Sequence, residues 1–451
     1  MGTSGKKTIE VGILSAPCIA FQLEGNFGPF AGAFEATVQN GVVCVTGKEG
    51  SSHPGQQAVK AARCIFEPSD ENMSFVLKDV VIGIEFHWER KEDQRFKGAL
   101  VFVPEDGQVR AVNVLSVEDY LVSVIASEIS ATSMPEYLKA HAVISRSWVL
   151  SQMKKRERAG GSAPALCRET AAPSEIRTDA EWIKWWDRED HTLFDVCADD
   201  HCQRYQGITR PSQSLDNVSG AIKQTAGEVL TSDGEICDAR FSKCCGGIME
   251  RFSTCWEAVD PPYLQGKYDG EDFPAEIPLP DLTDHAQAEV WIESTPPAFC
   301  NTDDTAVLSQ VLNDYDQETK AFYRWEVSYT SEELGDLIKN RIGEDLGCIE
   351  DLIPLERGSS GRISKLKIIG SKRTLTIGKE LLIRKALSPT HLYSSAFVPV
   401  KRSYGFVLYG AGWGHGVGLC QIGGAVMASR GYSYKEILAH YYPGSRIEKL
   451  Y

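Results

Sequence analysis

The sequence predicts an α+β protein, with a β-rich N-terminal region over residues 1–104 and a larger mixed lobe over 105–451. Three observations carry that prediction. Short alternating apolar runs fill the first hundred positions, two helices with readable starts follow, and strand signals alternate with capped helices to the C-terminus.

In the N-terminal region, Thr8–Leu14 and Ile19–Leu23 alternate apolar and polar residues and are broken by Pro17 and Gly25. Val42–Val45, Phe75–Leu77 and Ala99–Val103 continue the pattern. No combination of residues here suggests chemistry.

The character changes near Ala111. Ser116 is placed to cap a helix whose first turn carries Glu118 and Asp119. Tyr120, Val124 and Glu128 then fall four apart, with Leu121 and Ile125 beside them. A second helix starts at Pro135 and is expected to run to about Met153, its small Ala140, Ala142, Ser145 and Ser147 suiting close packing. Residues 155–190, basic and then Trp-rich (Trp182, Trp185, Trp186), read as an exposed linker. Strands are expected through 194–250, an insertion over the Pro- and acid-rich stretch 270–325, and further strands within 363–383. Gly431 stops one helix, Ser433 and Glu436 form a capping box for the next, and Pro443-Gly444 closes it.

The bulk numbers exclude several classes. A chain of 451 residues with net charge -15 offers no broad basic footprint for nucleic acid. No apolar run reaches the ~18 residues of a membrane-spanning helix. Lys6 and Lys7 precede only a short apolar run without an export-signal pattern, and an odd count of 13 cysteines argues for a reducing compartment or metal ligation over a full disulfide framework.

Four groups of residues suggest chemistry. Glu128 places a carboxylate on the apolar stripe of its helix, where desolvation would raise its pKa toward that of a general acid. The same spacing also suits a buried structural glutamate paired with a cation such as Arg146. Gly412-Trp-Gly-His-Gly-Val-Gly418 has glycine at alternate positions, which predicts an extended segment with one bare edge and with Trp413 and His415 on the other. His191, Cys197, His201 and Cys202 supply four zinc-type ligands within twelve residues. The vicinal pair Cys244-Cys245, before Gly246-Gly247, suits either metal ligands or small buried residues, the second being the plainer reading.

Several of these blocks resemble the stage II sporulation protein D family (SpoIID/LytB). Ser127-Glu128-Ile129, followed by the helix PEYLKAHAVISRSW from Pro135 to Trp148, is similar to its first signature. Gln203-x-Tyr205-x-Gly207, Thr225–Leu230 and Ser242–Gly247 resemble its middle blocks. Gly412–Gln421 and Tyr434–Gly444 resemble its C-terminal block. The chain departs from the pattern at His141, where the family has Gln, at Ser147-Trp148 for Thr-Tyr, and at Cys244-Cys245 for Ser or Thr.

The resemblance implies a substrate cleft and a peptidoglycan lytic transglycosylase, which leaves a 1,6-anhydro end on N-acetylmuramic acid. It implies Glu128 as catalytic residue and Arg146, Gln203, Tyr205, Ser242, Trp413 and His415 as substrate contacts. It also implies a zinc ion, structural in role, on His191, Cys197, His201 and Cys202. One carboxylate suffices because the sugar's own 6-hydroxyl is the nucleophile. The alternative within the family is an amidase enhancer, which binds glycan and activates a partner cell-wall amidase. A zinc hydrolase is a third reading, without a helical HExxH motif to support it. A cell-envelope substrate stands against the cysteine usage and the missing export pattern, so the compartment stays open.

Overall fold

The computed structural model describes residues 7–83, 90–158, 174–186, 191–199, 201–208, 215–271, 273, 278–311 and 321–451. It is an α+β architecture with two main cores.

The first core begins with two antiparallel-rich sheets. One has six strands in the order Gln57–Ala61, Val42–Gly47, Phe30–Gln39, Cys18–Phe27, Ser74–Ile82 and Arg90–Lys97. The other has five, in the order Val196–Cys197, Thr8–Ala16, Gln108–Ser116, Ala99–Glu105 and Cys64–Phe66. Alternation turns Ile19, Phe21 and Leu23 inward, and Phe21 meets Phe34, Phe66 and Phe102 between the sheets. The boundary expected at residue 104 falls on the hairpin that pairs Glu105 with Gln108.

Helix α1 (Val117–Glu128) continues directly from the strand Gln108–Ser116, and the Asp119 N–H donates to the capping Ser116 hydroxyl at 3.1 Å. Helix α2 (Pro135–Arg158) extends beyond the expected Met153. Helix α3 (Leu215–Gln224) corrects the expectation of strands throughout 194–250: its buried Val218, Ala221 and Ile222 have helical spacing. Helices α4 (Phe252–Cys255), α5 (His285–Glu293) and α6 (Thr305–Val311) follow, the last two within the expected insertion.

The second core lies between one sheet of Glu175–Arg177, Glu181–Lys184, Thr374–Gly378, Ile363–Gly370 and Ile349–Arg357 and another of Arg324–Thr330, Gly405–Ala411 and Phe397–Arg402. Helices α7 (Ser331–Ile342) and α8 (Glu380–Ala386) complete it with Leu334, Ile338 and Leu382. Part of the expected linker therefore belongs to a sheet, because Trp182 and Ile183 are apolar enough to be drawn into this core.

The chain then returns to the first core. Helices α9 (Gln421–Ser429) and α10 (Tyr434–Tyr441) pack against α2, and the strand Arg446–Lys449 pairs with Glu228–Ser232. The Ser433–Glu436 capping box forms as the sequence predicts. Among the described residues, no helix is long and apolar enough to cross a membrane.

Candidate active site and metal centre

Glu128 is the last residue of α1 and is half-buried. Its Oε1 accepts from the Arg204 backbone N–H at 2.9 Å. The loop carrying Arg204 is fixed along one face of α1: the Tyr120 hydroxyl donates to Gln203 Oε1 at 3.3 Å, and the Gln206 N–H donates to the Ser123 hydroxyl at 3.2 Å. The helical spacing of Tyr120, Ser123 and Glu128 thus places three anchors along one loop.

The same loop holds the predicted ligand set. The ligand atoms of His191, Cys197, His201 and Cys202 all lie within 4.8 Å of one another. His191 Nε2 is 3.3 Å from Cys202 Sγ, and His201 Nδ1 is 3.5 Å from Cys202 Sγ and 4.0 Å from Cys197 Sγ. A tetrahedral zinc with bonds of ~2.0–2.3 Å separates its ligands by roughly 3.3–3.8 Å, so the residues fit the ion. Hydrogen bonds from Cys202, then from His191 and His201, hold the Cys197 thiol far below its ordinary pKa against the effect of burial. Hydrogen bonding to Cys197 and burial push Cys202 the other way. Zinc binds cysteine as thiolate, so loading this site would release the remaining thiol proton. A cavity of about 410 Å³ opens beside this cluster, lined by His191, Cys197, His201, Arg204, Arg110 and Gln94, and Glu128 lies outside its lining.

The glycine-rich segment differs from the extended form expected. Gly412, Gly414, Gly416 and Gly418 all take positive φ, between 71° and 83°, so the chain turns at every second residue and glycine is required there. What fills the bare side is Arg362, which is fully buried. It donates to the carbonyls of Gly414, Cys245 and Cys244 at 2.9, 3.0 and 3.2 Å, and a Cβ on Gly416 would overlap its guanidinium. The edge expected to admit a sugar ring is occupied by the protein itself.

Several expected substrate contacts are interior residues. Arg146 is 0% exposed and grips both oxygens of Glu118 at 2.9 and 2.7 Å, with further bonds to the Ala142 and Glu228 carbonyls. It neither holds Glu128 nor reaches solvent. Tyr205 stacks on Tyr120 and donates to Asn113 Oδ1 at 2.6 Å, while Gln203 is 1% exposed. Both face inward because they anchor the 201–208 loop to α1 and to the strand Gln108–Ser116. Ser242 is buried and accepts from the Gly416 N–H at 3.1 Å. His415 is half-buried and its Nδ1 accepts from the Val417 N–H at 3.0 Å, and burial followed by the charges of Arg240 and Arg362 lowers its pKa well below the ordinary value. Trp413 is partly exposed and stacks on Tyr393 with centroids 4.2 Å apart.

Sequence reasoning missed Arg362 and Tyr137. Tyr137 is fully buried, and its hydroxyl is raised in pKa by burial, then by the charges of Cys420 and Glu128, so those groups share one electrostatic neighbourhood. The apolar spacing of α2 gave a signal for its burial, but not for its partners.

Residues 105–232, which contain Glu128 and the whole 191–202 cluster, match the family described as Stage II sporulation protein, so the resemblance to the SpoIID family holds over this stretch. Residues 250–418 match a family described as a domain of unknown function (DUF8618). Among individual relatives, the chain is similar to an uncharacterized protein of Brachyspira hyodysenteriae, 25% identical over 349 residues covering 77% of this chain and 71% of that one. It is similar to Stage II sporulation protein D of Bacillus subtilis, 20% identical over 340 residues, 75% and 76% of the two chains. The amidase enhancer of Bacillus subtilis is 26% identical over 248 residues, which cover 51% of this chain and 32% of the enhancer.

Proposed function

We propose that this protein acts on the bacterial cell wall as a peptidoglycan lytic transglycosylase, cutting the β-1,4 bond between N-acetylmuramic acid and N-acetylglucosamine. The observation that carries the reading is Glu128: a half-buried carboxylate at a helix end, fixed through one oxygen by the Arg204 N–H, inside the segment similar to SpoIID. The Glu128 carboxyl protonates the departing glycosidic oxygen. The muramic 6-hydroxyl attacks the anomeric carbon, and the Glu128 carboxylate then takes that hydroxyl's proton. No second carboxylate is required, in contrast to hydrolytic glycosidases.

His191, Cys197, His201 and Cys202 would hold one zinc, whose chemistry here is structural because four protein ligands close its coordination sphere. The ion would stiffen the loop that presents the Arg204 N–H to Glu128.

The similarity to an amidase enhancer supports a second reading, in which the protein binds glycan and activates a separate amidase. Mass spectrometry of purified glycan strands separates the two. The wild-type chain is expected to generate 1,6-anhydro ends, and Glu128→Gln to lose turnover by on the order of a hundredfold or more while still folding and binding glycan. Strands left intact by the wild type, together with enhanced release of stem peptides when an amidase is added, would favour the enhancer.

A further inference from the structure

A second group of ligands lies in the molecule's interior, away from the 191–202 loop. Cys245, Asp269, Cys300 and Cys420 are all buried, and one ligand atom from each lies within 4.8 Å of the others. Cys245 Sγ is 3.6 Å from Cys300 Sγ and 3.2 Å from Asp269 Oδ2. Those separations are close to the edges of a tetrahedron around one ion with bonds of ~2.0–2.3 Å. They leave no room for the bridging sulfides of an iron–sulfur cluster. From this geometry we infer a second metal site, a Cys3Asp centre for one Zn²⁺.

The surroundings are those of a ligand set. Asp269 turns Oδ2 toward the sulfurs, while Oδ1 accepts from the Tyr441 hydroxyl at 2.8 Å and lies 3.4 Å from His440 Nε2. A carboxylate held on its outer oxygen and directed inward with the other is how proteins orient a metal ligand. Gly423 leaves the space: a Cβ there would stand 2.7 Å from Asp269 Oδ2. Cys420 immediately precedes the nine-residue helix α9, whose N-terminal dipole favours a thiolate. Three thiols and a carboxylate buried together form a costly interior, and a divalent soft-to-borderline cation resolves it.

The ligands also come from separate parts of the chain. Cys245 lies just after the strand Phe241–Ser242 and Cys420 ends its paired strand Leu419–Cys420, whereas Asp269 and Cys300 lie between them in the chain. Cys300 leads into α6, and there Gln310 accepts from the Ser130 N–H at 3.0 Å, the Ser133 hydroxyl at 2.7 Å and the Met134 N–H at 3.1 Å. The ion therefore seats α6 on the turn that follows Glu128. The assignment of the site is independent of the catalytic role proposed for Glu128.

The full chain, purified without chelator, is expected to contain about two zinc ions by elemental analysis, one for each four-ligand site. Cys300→Ser and Asp269→Asn should each lose about one equivalent and speed hydrogen exchange across residues 129–134. Cys202→Ser should lose the other equivalent only. Should the interior variants fail to fold, cobalt substitution of the Cys202→Ser chain gives the answer: strong thiolate-to-cobalt absorption is expected from three remaining sulfur ligands. Absence of that band, equal zinc content in wild type and a folded Cys300→Ser, or a Cys245–Cys300 disulfide in the freshly purified chain would overturn the proposal.

Discussion

The Arg204 backbone N–H donates to Glu128 Oε1 at 2.9 Å, one residue from Gln203 and two from Cys202. The position of the candidate acid is thereby tied to the loop that gathers two cysteines and two histidines.

If the 191–202 cluster holds the proposed zinc and the chain has the proposed activity, stripping that ion is expected to lower kcat by roughly tenfold, the scale on which outer-shell supports act, with little change in KM. The loss should track zinc content and reverse on adding zinc to the chelated protein. Turnover unchanged in a chain shown to be metal-free would break the link between this loop and Glu128.

Arg146 is expected to matter for stability. Its side chain is 0% exposed, whereas that of Glu118 is 27% exposed. Arg146→Met should lower the unfolding free energy by about 3 kcal/mol, the lower end for breaking a buried pair, because Glu118 can partly rehydrate. Urea titration measures this. A stable Arg146→Met chain with weakened glycan binding would instead return Arg146 to the substrate.

Two glycine substitutions separate backbone conformation from crowding. Gly416 and Gly431 both have positive φ, 76° and 89°, but only at Gly416 would a Cβ meet the Arg362 guanidinium, while nothing lies within 4 Å at Gly431. Gly431→Ala is expected to cost ~1–2 kcal/mol, from conformation alone, and Gly416→Ala clearly more. Equal denaturation midpoints for the two variants would contradict the packing described for Arg362.

His141 supplies an acid-sensitive element. It is fully buried, with neither ring nitrogen hydrogen-bonded to protein, and burial followed by the charge of Lys243 lowers its pKa from 6.5 to about 3. The depressed value means the folded state resists protonation. Its contribution is therefore complete above pH 6.5 and is lost as pH falls toward about 3, at up to about 1.4 kcal/mol per pH unit. His141→Gln should flatten the fall in stability between pH 6 and 4, as read from urea midpoints. An unchanged slope would place the acid lability elsewhere.

What the sequence made legible was local. Ser116 and the Ser433–Glu436 box mark helix starts because capping involves residues three apart. The 191–202 ligands were readable because they lie within twelve residues. The interior cluster was not, since Cys245 and Cys420 are 175 positions apart and only the fold brings Asp269 and Cys300 between them. The glycine repeat was visible, but its cause was not: alternate glycines suggest a bare strand edge, whereas the chain turns at each one and Arg362 fills the space at Gly412 and Gly416. The family resemblance implies Gln203 and Tyr205 as substrate contacts, but both are buried. Their spacing along the loop instead serves Tyr120 and Asn113.

The strand Arg446–Lys449 completes the sheet begun by Glu228–Ser232, and the Tyr451 hydroxyl donates to Glu118, the partner of Arg146. On the ribosome, the described strands of the second core are all present once Gly405–Ala411 has emerged, while the lobe holding Glu128 still lacks α9, α10 and two strands, Leu419–Cys420 and Arg446–Lys449. The newborn chain thus carries a complete second core while the lobe with the candidate active site still waits for residues 419–449.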